Sequence, residues 1–161
     1  MALKQILLLR HAEKPADPED PTLAPEGAER ARRLAQMLPT RYGTIDAVYA
    51  TAASKHSNRP ILTAQPLADA LQLRVIDDVA DQDYAVLAER LLSLQKHDGK
   101  RVAICWHHGH IPDFAAALGV DNPPAPWPPL VFDRVWVIKP DIGGAKLNNE
   151  PQNLMPGDSQ A

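Results

Sequence analysis

Short apolar runs without polar alternation recur along this chain. Each leads into a stretch whose apolar residues stand three and four apart. A run of the first kind is a strand covered on both faces, and the second spacing lays one apolar stripe along a helix. Lys4 to Leu9 is the first run. In the stretch from Pro25 to Leu38, residues Ala28, Ala31, Leu34, Ala35 and Leu38 share a face, with Arg30, Arg32 and Arg33 largely off it. Pro25 and Glu26 suit a first helical turn, where a missing N–H and a negative charge are both tolerated. Ile45 to Tyr49 reads as a second strand. Asn58 is placed to cap a helix from Arg59 to Leu71, which Pro66 should kink or end early. Leu73 to Ile76 is a short strand, and Tyr84, Leu87, Ala88, Leu91 and Leu94 give a helix ending near Gly99. Arg101 to Trp106 is a fourth strand, Ile111, Phe114, Ala115 and Leu118 a further helix, and Asp133 to Ile138 a last strand. From about 140 to 161 the chain is rich in Gly, Asn and Pro and reads as an irregular tail. Strands alternating with helices predict an α/β layer fold with a mainly parallel sheet. In such sheets, sites form where strands end.

The 161 residues suit a single domain over 1–161. A formal net charge of −3 lacks the basic excess that nucleic-acid binding requires. The longest N-terminal apolar run, Ile6 to Leu9, is too short for a signal core or a membrane span. Cys105 is the single cysteine, which excludes an intrachain disulfide and fits a reducing, cytoplasmic compartment. The 16 prolines are about twice average usage. Four fall between Pro15 and Pro25 and five between Pro123 and Pro129, marking two stiff loops.

Three segments at predicted strand ends carry the chemistry. The first strand ends in Arg10-His11-Ala12-Glu13. The fourth runs into His107-His108-Gly109-His110. Ser57-Asn58-Arg59 opens a helix, where free N–H groups and a guanidinium favour an anion. Arginines and histidines converging at strand ends would enclose a phosphoryl group. A neutral imidazole is a competent nucleophile toward phosphorus near pH 7, and arginine forks match phosphate oxygens.

Leu9-Arg10-His11-Ala12-Glu13 resembles the Arg-His-Gly/Ala-Glu signature of the histidine phosphatase superfamily, the phosphoglycerate-mutase-like proteins. Further landmarks follow in order. Leu23 to Gly27 with Arg30-Ala31 is similar to the family's helix start. Arg59 with Thr63-Ala64 and Pro66-Leu67-Ala68 is similar to its Arg-x-x-Gln-Thr-Ala-x-Pro-Leu-Ala. The strand Val102 to Trp106 followed by His-Gly is similar to its second-histidine motif. The resemblance covers most of residues 4–120 and implies a three-layer α/β/α domain.

It also implies a metal-independent phosphatase acting on a phosphomonoester or phosphohistidine through a covalent phosphohistidine on His11. The chain is similar in length to small members that hydrolyse phosphohistidine. Arg10 and Arg59 would hold the phosphate. His108 would be the second catalytic histidine, with His107 as the alternative register and otherwise at the pocket rim. Glu13, His56 and Asn58 are further candidate substrate contacts. The expected partner is a phosphorylated small molecule or phosphoprotein, with no cofactor. A phosphoglycerate-type mutase and a non-catalytic phosphate-binding module use the same pocket. No metal is expected, because His107, His108 and His110 in one tight loop cannot all face one ion. The chain departs from the family pattern at Ala24, at Leu62 and in the loop from Tyr49 to Arg59. The usual glutamate after the third strand is absent, leaving Glu13, Asp77, Asp78, Asp81 or Asp83 as proton donor. A weak acid signature favours phosphoramidate substrates, whose leaving group needs less help. The loop from Pro15 to Pro25 follows His11 directly and should wall the pocket.

Overall fold

The computed structural model describes residues 3–93 and 95–161; nothing is described of the Gln95 side chain. Leu94, the last member of a predicted helical set, lies outside the described residues. Among the described residues, six strands form one sheet in the order β3-β2-β4-β1-β5-β6, with β1 Gln5–Arg10, β2 Ala47–Ala50, β3 Val75–Ile76, β4 Arg101–Trp106, β5 Arg134–Asp141 and β6 Gly144–Pro151. The first four are parallel, and β5 and β6 are antiparallel additions at one edge. The helices are α1 Pro25–Tyr42, α2 Arg59–Ala70, α3 Tyr84–Ser93 and α4 Ile111–Ala117.

Leu7 and Leu9 of β1 pack with Leu34, Leu38, Ala64 and Leu67, so α1 and α2 cover one face. Ile6 and Leu8 pack with Leu87, Leu91, Phe114 and Leu118, so α3 and α4 cover the other. Burial on both faces is why β1 and β4 read as unbroken apolar runs. The layers are α/β/α, as expected. No helix among the described residues is long and apolar enough to cross a membrane.

Four local expectations are corrected. The segment after Pro140 is not an irregular tail: β6 pairs with β5 along its length, from Asp141↔Gly144 to Arg134↔Pro151. Half-buried Ala145 and Leu147 alternate with exposed Lys146 and Asn148, the pattern of an edge strand. Arg30 is not off the buried face of α1 but is only 3% exposed. Helix α2 runs on through Pro66, since Ala64, Leu67 and Ala68 stay buried and their packing outweighs one missing bond. The Asn58 side chain makes no capping bond; the backbone N–H of Arg59 donates to Oγ of Ser57 instead (3.2 Å).

Candidate active site

Strands β1 and β4 are parallel neighbours, and their register pairs Arg10 with Trp106, the last residue of each. The next residues, His11 and His107, therefore emerge side by side. The His11 N–H donates to the Trp106 carbonyl (3.1 Å), and the two imidazoles meet edge to face with centroids 5.3 Å apart. His107, not the expected His108, is thus the histidine that meets His11. His108 lines an open groove with Pro112, Trp127 and Pro129 on the Arg10 side.

His11 is 2% exposed. Its Nδ1 lies 2.7 Å from the Ala12 carbonyl oxygen. A carbonyl can only accept, so Nδ1 carries the proton and Nε2 keeps its lone pair. Burial is the main cause that pushes His11 down to about 3; the Ala12 carbonyl opposes it, and His107, Arg10 and Arg59 add to it. The ring is therefore neutral at physiological pH. Burial likewise lowers His107 and His108 from the ordinary histidine value.

Arg10 is 1% exposed. Its Nη1 donates to the carbonyls of Pro129 (2.8 Å) and Val131 (3.0 Å), and the guanidinium lies over the Phe132 ring at 3.9 Å. Nε and Nη2, the side-on edge of the fork, are buried and have no hydrogen-bond partner among the described residues. Burial lowers Arg10 to about 10, so it remains a cation at neutral pH. Arg59, at the start of α2, donates from Nε to the Thr22 carbonyl (3.0 Å) and from Nη2 to that of Asp20. The two proline-rich loops thus meet the site, each holding one arginine through backbone carbonyls. Thr63 locks α2 to the histidine segment, accepting from the Ala12 N–H (2.9 Å) and donating to the Arg59 carbonyl (2.8 Å).

The remaining candidates separate. Glu13 is held by Arg30, with Nε to Oε1 at 3.0 Å and Nη2 to Oε2 at 2.9 Å. Arg30 also binds Gln152 and, through two bonds of 2.8 Å, Asp158. Glu13 is therefore part of an ionic clamp with Arg30 and Asp158. Asn58 is half-buried, its N–H donates to the Pro21 carbonyl, and its Oδ1 is buried without a hydrogen-bond partner. His56 is exposed on its loop. Asp77, Asp78 and Asp83 are exposed, and Asp78 pairs with Arg90 (2.9 Å). Asp81 is turned inward, with Oδ2 3.0 Å from Nδ1 of His110. Among the described residues, no cluster of three or more His, Cys, Asp or Glu side chains is arranged to hold a metal ion. Thr63 stood in the motif read after Arg59, though without a role; Phe132, Asp158 and the carbonyls at 129 and 131 were not legible as site residues. They reach it from distant segments, and no local pattern marks them.

No family model matches the chain, and no curated protein matches it in sequence. Solved structures do match. The protein histidine phosphatase SixA, complexed with tungstate, superposes with a TM-score of 0.63 at 17% identity, covering 89% of this chain and 94% of that one. A phosphoserine phosphatase mutant from Entamoeba histolytica, in complex with phosphoserine, gives 0.64 at 14% identity, covering 95% and 100%. Phosphoglycerate mutase from Plasmodium falciparum gives 0.64 at 15% identity, covering 100% and 99%. The fold of this chain is the one those phosphatases and that mutase share, the phosphoglycerate-mutase-like fold to which its ordered motifs point.

Proposed function

We propose that this chain is a phosphatase working through a phosphohistidine on His11. One observation carries the reading: a buried, neutral imidazole shares the Phe132 ring and the electrostatic field of Arg10, whose Nε–Nη2 edge has no hydrogen-bond partner among the described residues. That edge matches two phosphate oxygens side-on. Nε2 of His11 attacks phosphorus, forming the P–N bond as the bond to the leaving atom breaks. Arg10, Arg59 and His107 oppose the charge that develops on the phosphoryl oxygens. Water then attacks phosphorus, the P–N bond breaks, and phosphate leaves. His107 takes the second-histidine role because the β1–β4 register puts it against His11. His108 is assigned to the leaving-group side.

The substrate is a phosphomonoester or phosphohistidine carried by a small molecule or a protein, which fits the phosphatases that share the fold. The reading needs no metal, so turnover is expected to survive EDTA. The buried free thiol of Cys105 suits a reducing, cytoplasmic setting. The test is His11→Ala assayed on p-nitrophenyl phosphate and on a phosphohistidine peptide. Loss of at least about 10³-fold is expected, the scale of removing a covalent nucleophile. Undiminished turnover refutes the reading. Phosphoryl transfer between positions of a sugar acid would mark a mutase instead, and tight phosphate binding without hydrolysis a binding module.

A further inference from the structure

None of the groups assigned to the site above is a carboxylic acid that could protonate the leaving atom. Glu13 is held by Arg30 within the ionic clamp. Of the aspartates after β3, Asp81 alone faces inward. Its carbonyl accepts from Nε1 of Trp106 (3.1 Å), which fixes the turn on the end of β4. Its Oδ2 stands 3.0 Å from Nδ1 of His110, an ion-pair contact rather than a hydrogen bond, and Asp81 Oδ1 and His110 Nδ1 are both buried with no hydrogen-bond partner among the described residues. The N–H of His110 donates to the His107 carbonyl (3.2 Å), so the turn folds back over the histidine that meets His11. Both Asp81 and His110 act electrostatically on His107. The His110 ring lies against Tyr84 with centroids 5.4 Å apart. The two side chains are 33% and 35% exposed, so solvent reaches the pair and protons can exchange there.

We propose that His110, positioned by Asp81, is the proton donor to the leaving oxygen, and that the substrate class is therefore an alkyl phosphate ester. This rests on the phosphatase reading above. Asp81 faces the ring on its Nδ1 side at ion-pair distance, and Nε2 is the nitrogen left to exchange a proton. In the first step Nε2 of His11 bonds to phosphorus and the P–O bond to the leaving group breaks. The leaving oxygen takes the proton on Nε2 of His110 and departs as an alcohol. In the second step a water oxygen bonds to phosphorus, the P–N bond breaks, and a proton of that water returns to Nε2 of His110. Protons and charges balance over the cycle, with no further reactant.

The experiment compares wild type, His110→Gln and Asp81→Asn on p-nitrophenyl phosphate, whose leaving group needs little protonation, and on O-phosphoserine, whose alkoxide needs it. Loss of a general acid should lower phosphoserine turnover about 100-fold in His110→Gln. On p-nitrophenyl phosphate the loss should stay below about threefold. Asp81→Asn should shift the same ratio in the same direction by less. Thermal melts check that both proteins stay folded. Equal losses on the two substrates, or no loss on phosphoserine, overturn the proposal. So does a wild type that turns over p-nitrophenyl phosphate but not phosphoserine. Full activity of His11→Ala would remove instead the phosphatase reading beneath it.

Discussion

Replacing Arg30 by Met keeps most of the side-chain volume and removes the charge that two carboxylates share. In the native protein the Arg30 fork makes three contacts of 2.9–3.1 Å with Glu13, two of 2.8 Å with Asp158 and one of 2.9 Å with Gln152. Burial pushes Asp158 up, but the Arg30 fork and the N–H groups of Leu154 and Met155 outweigh it and hold the carboxyl below its ordinary value. Burial pulls Arg30 down, and its bonds to Asp158 and Glu13 outweigh that and raise it. Removing one partner of a buried ion pair costs about 3–5 kcal/mol. Here the lower end applies, about 3 kcal/mol, because Asp158 keeps two N–H donors and Glu13 stays 19% exposed. For a chain of this size that lowers Tm by about 6–12 °C.

The pH dependence supplies a second check on the clamp. A carboxyl lowered by folding contributes stability above its unfolded value and loses it as pH falls through its folded value. The gap between Arg30→Met and wild type should therefore be constant near neutrality and close below about pH 4. Thermal denaturation followed by circular dichroism, from pH 7 down to pH 3, reads both. A neutral-pH gap under about 2 °C would refute the reasoning, as would a gap that widens in acid.

Other perturbations test other links. Gly27→Ala would put a Cβ 2.5 Å from the Glu13 carbonyl oxygen and 2.9 Å from its nitrogen. Both atoms are backbone and neither can turn away, so urea titration should show a loss of about 2–3 kcal/mol, with kcat falling as the His11 segment shifts. Arg10→Lys keeps the charge but not the fork, and kcat/KM should drop about 100-fold, or about 2.7 kcal/mol. His107→Ala should cost about 100-fold in kcat and His108→Ala less than about fivefold; the reverse order would support the other register. Folding lowers His11 to about 3, so the unfolded chain takes a proton there before the native one does. Wild type should lose up to about 5 kcal/mol from this group as pH falls from about 6.5 toward 3, a slope that His11→Asn should lack.

The doubly covered strands were plain in the sequence: Arg101 to Trp106 appears as read, because full burial leaves an unbroken apolar run. Edge strand β6 was not, because it exists only by pairing with β5 and carries just Ala145 and Leu147 as inward apolar residues. The Arg-His motif located one half of the candidate site. Which later histidine joins it depends on the β1–β4 register, a pairing across about a hundred residues that no local spacing encodes. The role of Glu13 was hidden for the same reason. Its partner Arg30 is also bound to Asp158, 128 residues further along the chain.

The carbonyls that hold Arg10 and Arg59 have a consequence for the proposed turnover. A free arginine side chain gives up about 2 kcal/mol of rotamer entropy when it is immobilised. In this protein most of that loss is incurred on folding, since the rims at 20–22 and 129–131 already fix both guanidinium groups. On the proposed phosphatase reading, an oxyanion would then bind without ordering either side chain. The same rigidity serves the product as well as the substrate, so inorganic phosphate should compete for the site and its departure should bear on the rate of each cycle.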